Sequence, residues 1–221
     1  MSAGAPAWGA LFDWDGVLVD SKVLHRAAWD QVAREHGYSH GEADFTRHFG
    51  SQNRRAITEL LGWTQDEAAV ERISSRKEII YRELLGQRAD LWMSQSPAFV
   101  EQLAARGIPR AIVSSSPRQN IDVVLERSAL RGVFDAIVTA EDTRVGKPHP
   151  EGFLLGARAL GLPPARCVVF EDAPAGILAG RAGGMRVVAL TTTHAAEELV
   201  AADLIVPALG LELVSVIEAW F

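Results

Sequence analysis

Two aspartates carry the first sign of chemistry in this chain. Asp13 and Asp15 follow a short apolar run, Trp8 and Ala10 to Phe12, and precede Gly16. The run reads as a buried strand, and the glycine permits a turn away from it. Side chains two apart on an extended strand point to one side, so both carboxylates face one place. Two like charges held close need a cation or a proton between them. By itself, Asp-x-Asp-Gly fits an Asp-rich surface turn equally well. Groups of complementary chemistry stand further along: Ser114, Ser115 and Ser116, then Lys147 in Gly146-Lys147-Pro148-His149-Pro150, then Glu171 and Asp172.

The elements around these groups predict where they meet. Apolar runs at 110–113, 136–139, 167–170, 186–190 and 204–206 read as buried strands separated by helical sequence. Strands alternating with helices predict a parallel sheet covered on both faces, with right-handed crossovers. Ser96 is the expected N-cap of one helix, with Pro97 at its first position. The stretch from Asp20 to Met93 shows no buried strand. Leu24, Ala28 and Val32 share a helix face there, Gly37 is its expected stop, and Glu67 to Leu85 is a second helical stretch containing Lys77 and Tyr81. The expected architecture is a doubly wound, Rossmann-like α/β core, residues 1–19 and 94–221, with a helical domain inserted at 20–93. Ligands in such sheets bind at the carboxyl ends of the strands.

Each polar group follows a predicted strand, so all can converge on one cleft. Four carboxylates, one ammonium and one hydroxyl suit a hard cation together with a phosphoryl group. Mg²⁺ prefers oxygen ligands and keeps waters, so two carboxylates and a backbone carbonyl suffice to hold it. Asp13 could attack phosphorus once its charge is shared with the metal, and Lys147 would neutralise the phosphoryl oxygens. Ser114 could hold a phosphoryl oxygen or cap the following helix. Asp15 could move the proton of the leaving group. Lys147 can also be read as a solvated loop lysine, and His25 as a partly exposed helix residue. Arg54 and Arg55 could bind an anion or lie on a solvated face.

The 221 residues are 48% hydrophobic and 23% charged, with a net charge of −6. No basic footprint for nucleic acid or an anionic membrane is present, and no run reaches the length of a membrane span. The single cysteine, Cys167, precludes an internal disulfide and reads as a buried thiol. Met1 to Pro6 has no signal-peptide pattern, so a cytoplasmic location is expected.

Four segments together resemble the ordered motifs of the haloacid dehalogenase superfamily. They are Asp13-x-Asp15-Gly16-Val17-Leu18-x-Asp20-Ser21, the strand into Ser114, Gly146 to Glu151, and Phe170 to Ile177. The insertion at 20–93 is similar to that superfamily's helical cap. The resemblance implies Mg²⁺-dependent phosphoryl transfer through an aspartyl-phosphate on Asp13, with Asp15 as acid and base and Ser114 and Lys147 as phosphate stabilisers. It implies metal ligands among Asp13, Asp15, Glu171 and Asp172, and substrate contacts from Ser115, Ser116, His25, Arg54 and Lys77. The implied substrate is a small phosphorylated sugar or polyol, and the implied assembly a monomer or weak homodimer. A β-phosphoglucomutase-like mutase is the second reading, since His25, Trp29, Lys77 and Arg54 are similar to its cap residues. A non-catalytic binding module is the third.

Overall fold

A computed structural model describes residues 7–221. The signal-peptide reading of Met1 to Pro6 lies outside the described residues. In chain order the elements are β1 (Gly9–Phe12), α1 (Lys22–His36), α2 (Glu42–His48), α3 (Asn53–Arg55, continued by a π-helical turn Ala56–Leu60), α4 (Glu67–Gly86) and α5 (Ser96–Ala105). There follow β2 (Arg110–Val113), α6 (Arg118–Leu125), β3 (Ala136–Val138), α7 (Glu151–Ala159), β4 (Cys167–Glu171), α8 (Pro174–Ala182), β5 (Arg186–Leu190), β6 (Leu204–Val206) and α9 (Leu213–Glu218).

All six strands join one parallel sheet in the order β3-β2-β1-β4-β5-β6. The expected α/β class and parallel sheet are therefore present. β1 lies at the centre, between β2 and β4, where the strand order reverses; in such sheets this is where a ligand crevice opens. One face of the sheet packs aromatic residues: the Phe12 ring stacks on Phe170 at 4.6 Å and meets Phe99 edge-on at 6.1 Å. The other face packs Leu11, Val113, Val169 and Phe153, and the buried Cys167 belongs to it. Among the described residues, no helix is long and apolar enough to cross a membrane.

Between β1 and β2 the chain is helical from α1 to α5. α1 buries Leu24, His25, Ala28, Trp29 and Val32, ends at Gly37, and packs along α4. α4 is capped by Asp66, whose carboxylate accepts the Ala69 N–H at 2.8 Å. The two connections to the sheet run side by side: Asp20 N–H donates to the Leu91 carbonyl at 2.7 Å, and Met93 N–H to that of Leu18 at 2.8 Å.

Three local expectations need correction. Ser96 is the first helical residue of α5 and Gln95 its cap; the Ser96 hydroxyl instead lies 2.9 Å from the carbonyls of Leu18 and Met93, tying α5 to the segment after β1. Pro117, not Ser114, precedes the first turn of α6. Asp13 and Asp15 do not share a strand, because β1 ends at Phe12 and Asp15 sits in a turn bridged to Val19.

α7 approaches the sheet at Gly156, where a β-carbon would stand 2.8 Å from Val113 Cγ2 and 3.0 Å from a Leu11 methyl. A branched side chain there must push α7 off β1 and β2. Gly156→Val is expected to destabilise the fold by about 1–3 kcal/mol, read as a lower urea midpoint. An unchanged midpoint would contradict this close approach.

Candidate active site

The central strands deliver the acidic residues to one place. β1 and β4 pair with Phe12 opposite Phe170, and the ladder continues as Asp13 N–H donates to the Phe170 carbonyl at 2.9 Å. Asp13 therefore leaves the sheet beside Glu171 and Asp172. Carboxylate oxygens of these three buried residues lie within 4.8 Å of one another. Lys147, from the loop between β3 and α7, reaches in with its Nζ 2.6 Å from Asp13 Oδ1 and 2.5 Å from Glu171 Oε1.

Glu171 is held on both oxygens. Its second oxygen accepts the N–H groups of Asp172 at 2.9 Å and Ala173 at 3.0 Å, so it orients Lys147. Asp172 accepts a hydrogen bond from the Thr193 hydroxyl. Gly16, at φ +81°, lies so close that a β-carbon would overlap the Asp172 carboxylate. One ammonium among three buried carboxylates leaves excess negative charge. Burial, opposed by Lys147 and reinforced by Glu171 and Asp15, pushes Asp13 up to about 7. Burial, then Glu171 and Asp13, drives Asp172 well above the carboxylate range. Burial works against the Lys147 charge, but Asp13 and Glu171 outweigh it and raise its pKa. An all-oxygen, electron-rich, under-neutralised cluster fits a metal cation.

Asp15 belongs to a different environment. Its carboxylate accepts from Ser21 Oγ at 2.6 Å, Ser116 Oγ at 2.7 Å, His25 Nε2 at 3.1 Å and the Tyr81 hydroxyl at 3.4 Å. Burial opposes ionisation there, yet His25, Ser21 and Ser116 hold Asp15 well below the usual carboxylate range. Its side chain thus faces the helical segment and stands outside the cluster of Asp13, Glu171 and Asp172. Lys77 Nζ donates to His25 Nδ1 at 2.9 Å. An ammonium cannot accept, so His25 carries its proton on Nε2 and donates it to Asp15.

One small cavity, about 30 Å³, joins these groups: Asp13, Asp15, His25, Lys77, Ser115 and Ser116 all line it. Ser114 sits beside it with Lys147, its hydroxyl accepting the Ser116 N–H at 3.0 Å. Arg54 is not brought in. It forms an exposed ion pair with Glu67 on a separate groove. The sequence pointed to Trp29 only through its likeness to mutase cap residues and singled out none of His48, Asn53 and Glu78, although all four line the cavity. It also missed Asn120 and Thr193, which hold Glu78 and Asp172.

The model of the haloacid dehalogenase-like hydrolase family matches residues 9–184. The chain belongs to that family. It is 34% identical over 200 residues to validoxylamine A 7'-phosphate phosphatase of Streptomyces hygroscopicus subsp. limoneus, covering 89% of this chain and 91% of that protein. It is 34% identical to hexitol phosphatase A of Escherichia coli K12, with 91% of each chain covered. It is 38% identical to a chloroplastic 5-amino-6-(5-phospho-D-ribitylamino)uracil phosphatase of Arabidopsis thaliana, 90% of this chain matching; here the chain spans only about half, 53%, of the relative. Its fold is similar to that of β-phosphoglucomutase from Clostridium difficile, with a TM-score of 0.85, 25% identity, and coverage of 97% and 98% of the two chains. The chain is thus an enzyme of this hydrolase family, and these three sequence relatives are phosphatases by name.

Glu78 gives this site a testable acid response. Burial opposes its charge, but Lys77 above all, with the Asn120 hydrogen bond, lowers its pKa to about 2, from an unfolded value of 4.5. A depressed folded pKa contributes stability that is present above pH 4.5 and lost as pH falls toward 2. Glu78→Gln should therefore flatten the loss of stability across that window, measured by denaturant unfolding at several pH values. An acid slope equal to that of the native chain would show that Glu78 is not held ionised.

Proposed function

We propose that the chain is a Mg²⁺-dependent phosphatase of a small phosphorylated sugar or polyol, acting through an aspartyl-phosphate on Asp13. The observation that carries this reading is the Lys147 ammonium bridging Asp13 and Glu171 beside Asp172, at the crevice between β1 and β4. The names of the relatives, a hexitol phosphatase and a fructose-1-phosphate phosphatase among them, support the substrate class.

Asp13 and Asp172 would hold the metal, with Glu171 behind them. Bound there, Mg²⁺ supplies the positive charge that Lys147 alone does not, for the carboxylates and the phosphoryl oxygens. An Asp13 oxygen forms a bond to phosphorus as the bond to the leaving oxygen breaks. Asp15 takes a proton from solvent as the substrate arrives, gives it to that oxygen, then recovers one from the water that cleaves the acyl phosphate. An incoming phosphate adds negative charge beside Asp15 and raises its proton affinity for the first step. Lys147 keeps the Asp13 side chain in place and faces the phosphoryl oxygens, and the Ser114 to Ser116 loop offers hydroxyl and N–H donors. Residues 20–93 act as a cap that keeps bulk water from the cavity.

The second-phosphate role of Arg54, on which the mutase reading leans, draws no support from its exposed pair with Glu67. The two readings separate in one assay. With Mg²⁺, the phosphatase releases inorganic phosphate from one or a few sugar or polyol phosphates. A mutase instead converts β-glucose 1-phosphate to glucose 6-phosphate without free phosphate. Asp13→Asn is expected to abolish turnover while leaving the circular dichroism spectrum unchanged, and retained turnover would sink the aspartyl-phosphate mechanism. Lys147→Ala should reduce turnover by on the order of 10²–10³, with the loss in kcat; an effect confined to KM would remove the lysine from the chemical step.

A further inference from the structure

We propose that Glu78 is a specificity-determining residue that selects monophosphates with an uncharged, hydroxyl-rich leaving group and rejects a second phosphate. This rests on the phosphatase reading and names the substrate class of that site more closely.

The helical side of the cavity contains one cation and one anion, and they are matched. Lys77 Nζ donates to Glu78 Oε1 at 2.8 Å, and both side chains are buried. Burial, then His40 and Lys77, lowers the His48 pKa to about 3, so His48 adds no charge at neutral pH. The arginines around it are engaged elsewhere: Arg54 pairs with Glu67, Arg55 donates to the Lys147 carbonyl at 2.7 Å, and Arg82 donates to Asn120 Oδ1 at 3.1 Å. A second phosphate would bring two negative charges to a wall whose only ammonium is already neutralised, and it would face the Glu78 carboxylate. Like charges in a desolvated site repel strongly.

The same pair has unused hydrogen-bonding capacity of the kind a hydroxyl meets. Asn53 Nδ2 at 2.7 Å and Lys77 occupy Glu78 Oε1, and Asn120 Nδ2 at 2.6 Å occupies Oε2. A carboxylate accepts about four hydrogen bonds, so one acceptor site remains. Lys77 has given two of its three N–H groups, to Glu78 and His25. A free acceptor beside a free donor matches a hydroxyl, which donates and accepts at once. The carboxylate is held from α3, α4 and α6 together, so it cannot swing away to admit a competing anion.

The test compares a hexitol 6-phosphate with the corresponding hexitol 1,6-bisphosphate, with p-nitrophenyl phosphate as reference, on the full chain with Mg²⁺. The native enzyme should favour the monophosphate in kcat/KM. Glu78→Gln leaves Lys77 unneutralised and should narrow that preference by on the order of tenfold, chiefly through a lower KM for the bisphosphate. Glu78→Asp, which keeps the charge, should retain the preference. Asn120→Ala releases the carboxylate from α6 and should narrow it in the same direction, which decides the matter should Glu78→Gln not fold. Equal turnover of the two esters by the native enzyme, or a ratio unmoved in these variants, overturns the role of Glu78 and leaves the phosphatase reading standing. No phosphate from any ester, p-nitrophenyl phosphate included, overturns that reading and this inference with it.

Discussion

Three carboxylates buried around one ammonium are the constraint to which the carboxyl end of the sheet answers. Asp13, Glu171 and Asp172 cannot all be ionised at low dielectric with Lys147 as their only counter-charge, which is why burial drives Asp13 and Asp172 upward. The surroundings are built to hold that imbalance. Glu171 leans on two backbone N–H groups and Asp172 on a threonine hydroxyl. Gly16 brings the chain against Asp172 where a side chain would collide. The apolar strands underneath set the geometry. The β1–β4 register places Asp13 beside the end of β4, so hydrophobic pairing on the sheet positions the charged groups beyond it.

Asp13 and Asp15 are separated by one residue, yet their surroundings push them in opposite directions. The first stands among carboxylates, the second among donors. A cation beside the cluster would restore the charge on Asp13, and an arriving phosphate would raise the proton affinity of Asp15, each toward the state its proposed role needs. The helical segment creates the difference, since Ser21, His25 and Tyr81 all come from it or its first link. Lys77 sets the tautomer of His25, and Glu78 neutralises Lys77 in turn. A chain of contacts thus runs from α6 through α4 and α1 to Asp15.

The fold was legible because buried parallel strands are continuous apolar runs, and all six expected strands formed. The residues at their ends were legible for the same reason: Asp13, Ser114 and Asp172 each follow such a run directly. What escaped was set by packing between helices. Ser96 and Ser114 satisfy a local capping rule, but the chain gives their hydroxyls other partners. Glu78, Asn53 and Asn120 are polar residues on helices, which read as solvated until α4 and α6 are brought together. One trace was available for Lys77. It falls on the stripe Ile73-Lys77-Ile80-Tyr81, spaced four, three and one, so it lies on the face that α4 buries.

The contacts between the helical segment and the sheet side land on the loops that carry the chemistry. Gln52 donates to Thr143 at 2.9 Å and Arg55 to the Lys147 carbonyl, both on the connection that delivers the lysine. Arg82 donates to Asn120 at 3.1 Å, on the helix that follows Ser114 to Ser116. The helices thus brace the Lys147 backbone and wall the cavity that Asp13 lines. A preorganised ammonium is worth more where water is excluded. Here the hydrogen bonds that seat the helices also fix the backbone from which the ammonium extends.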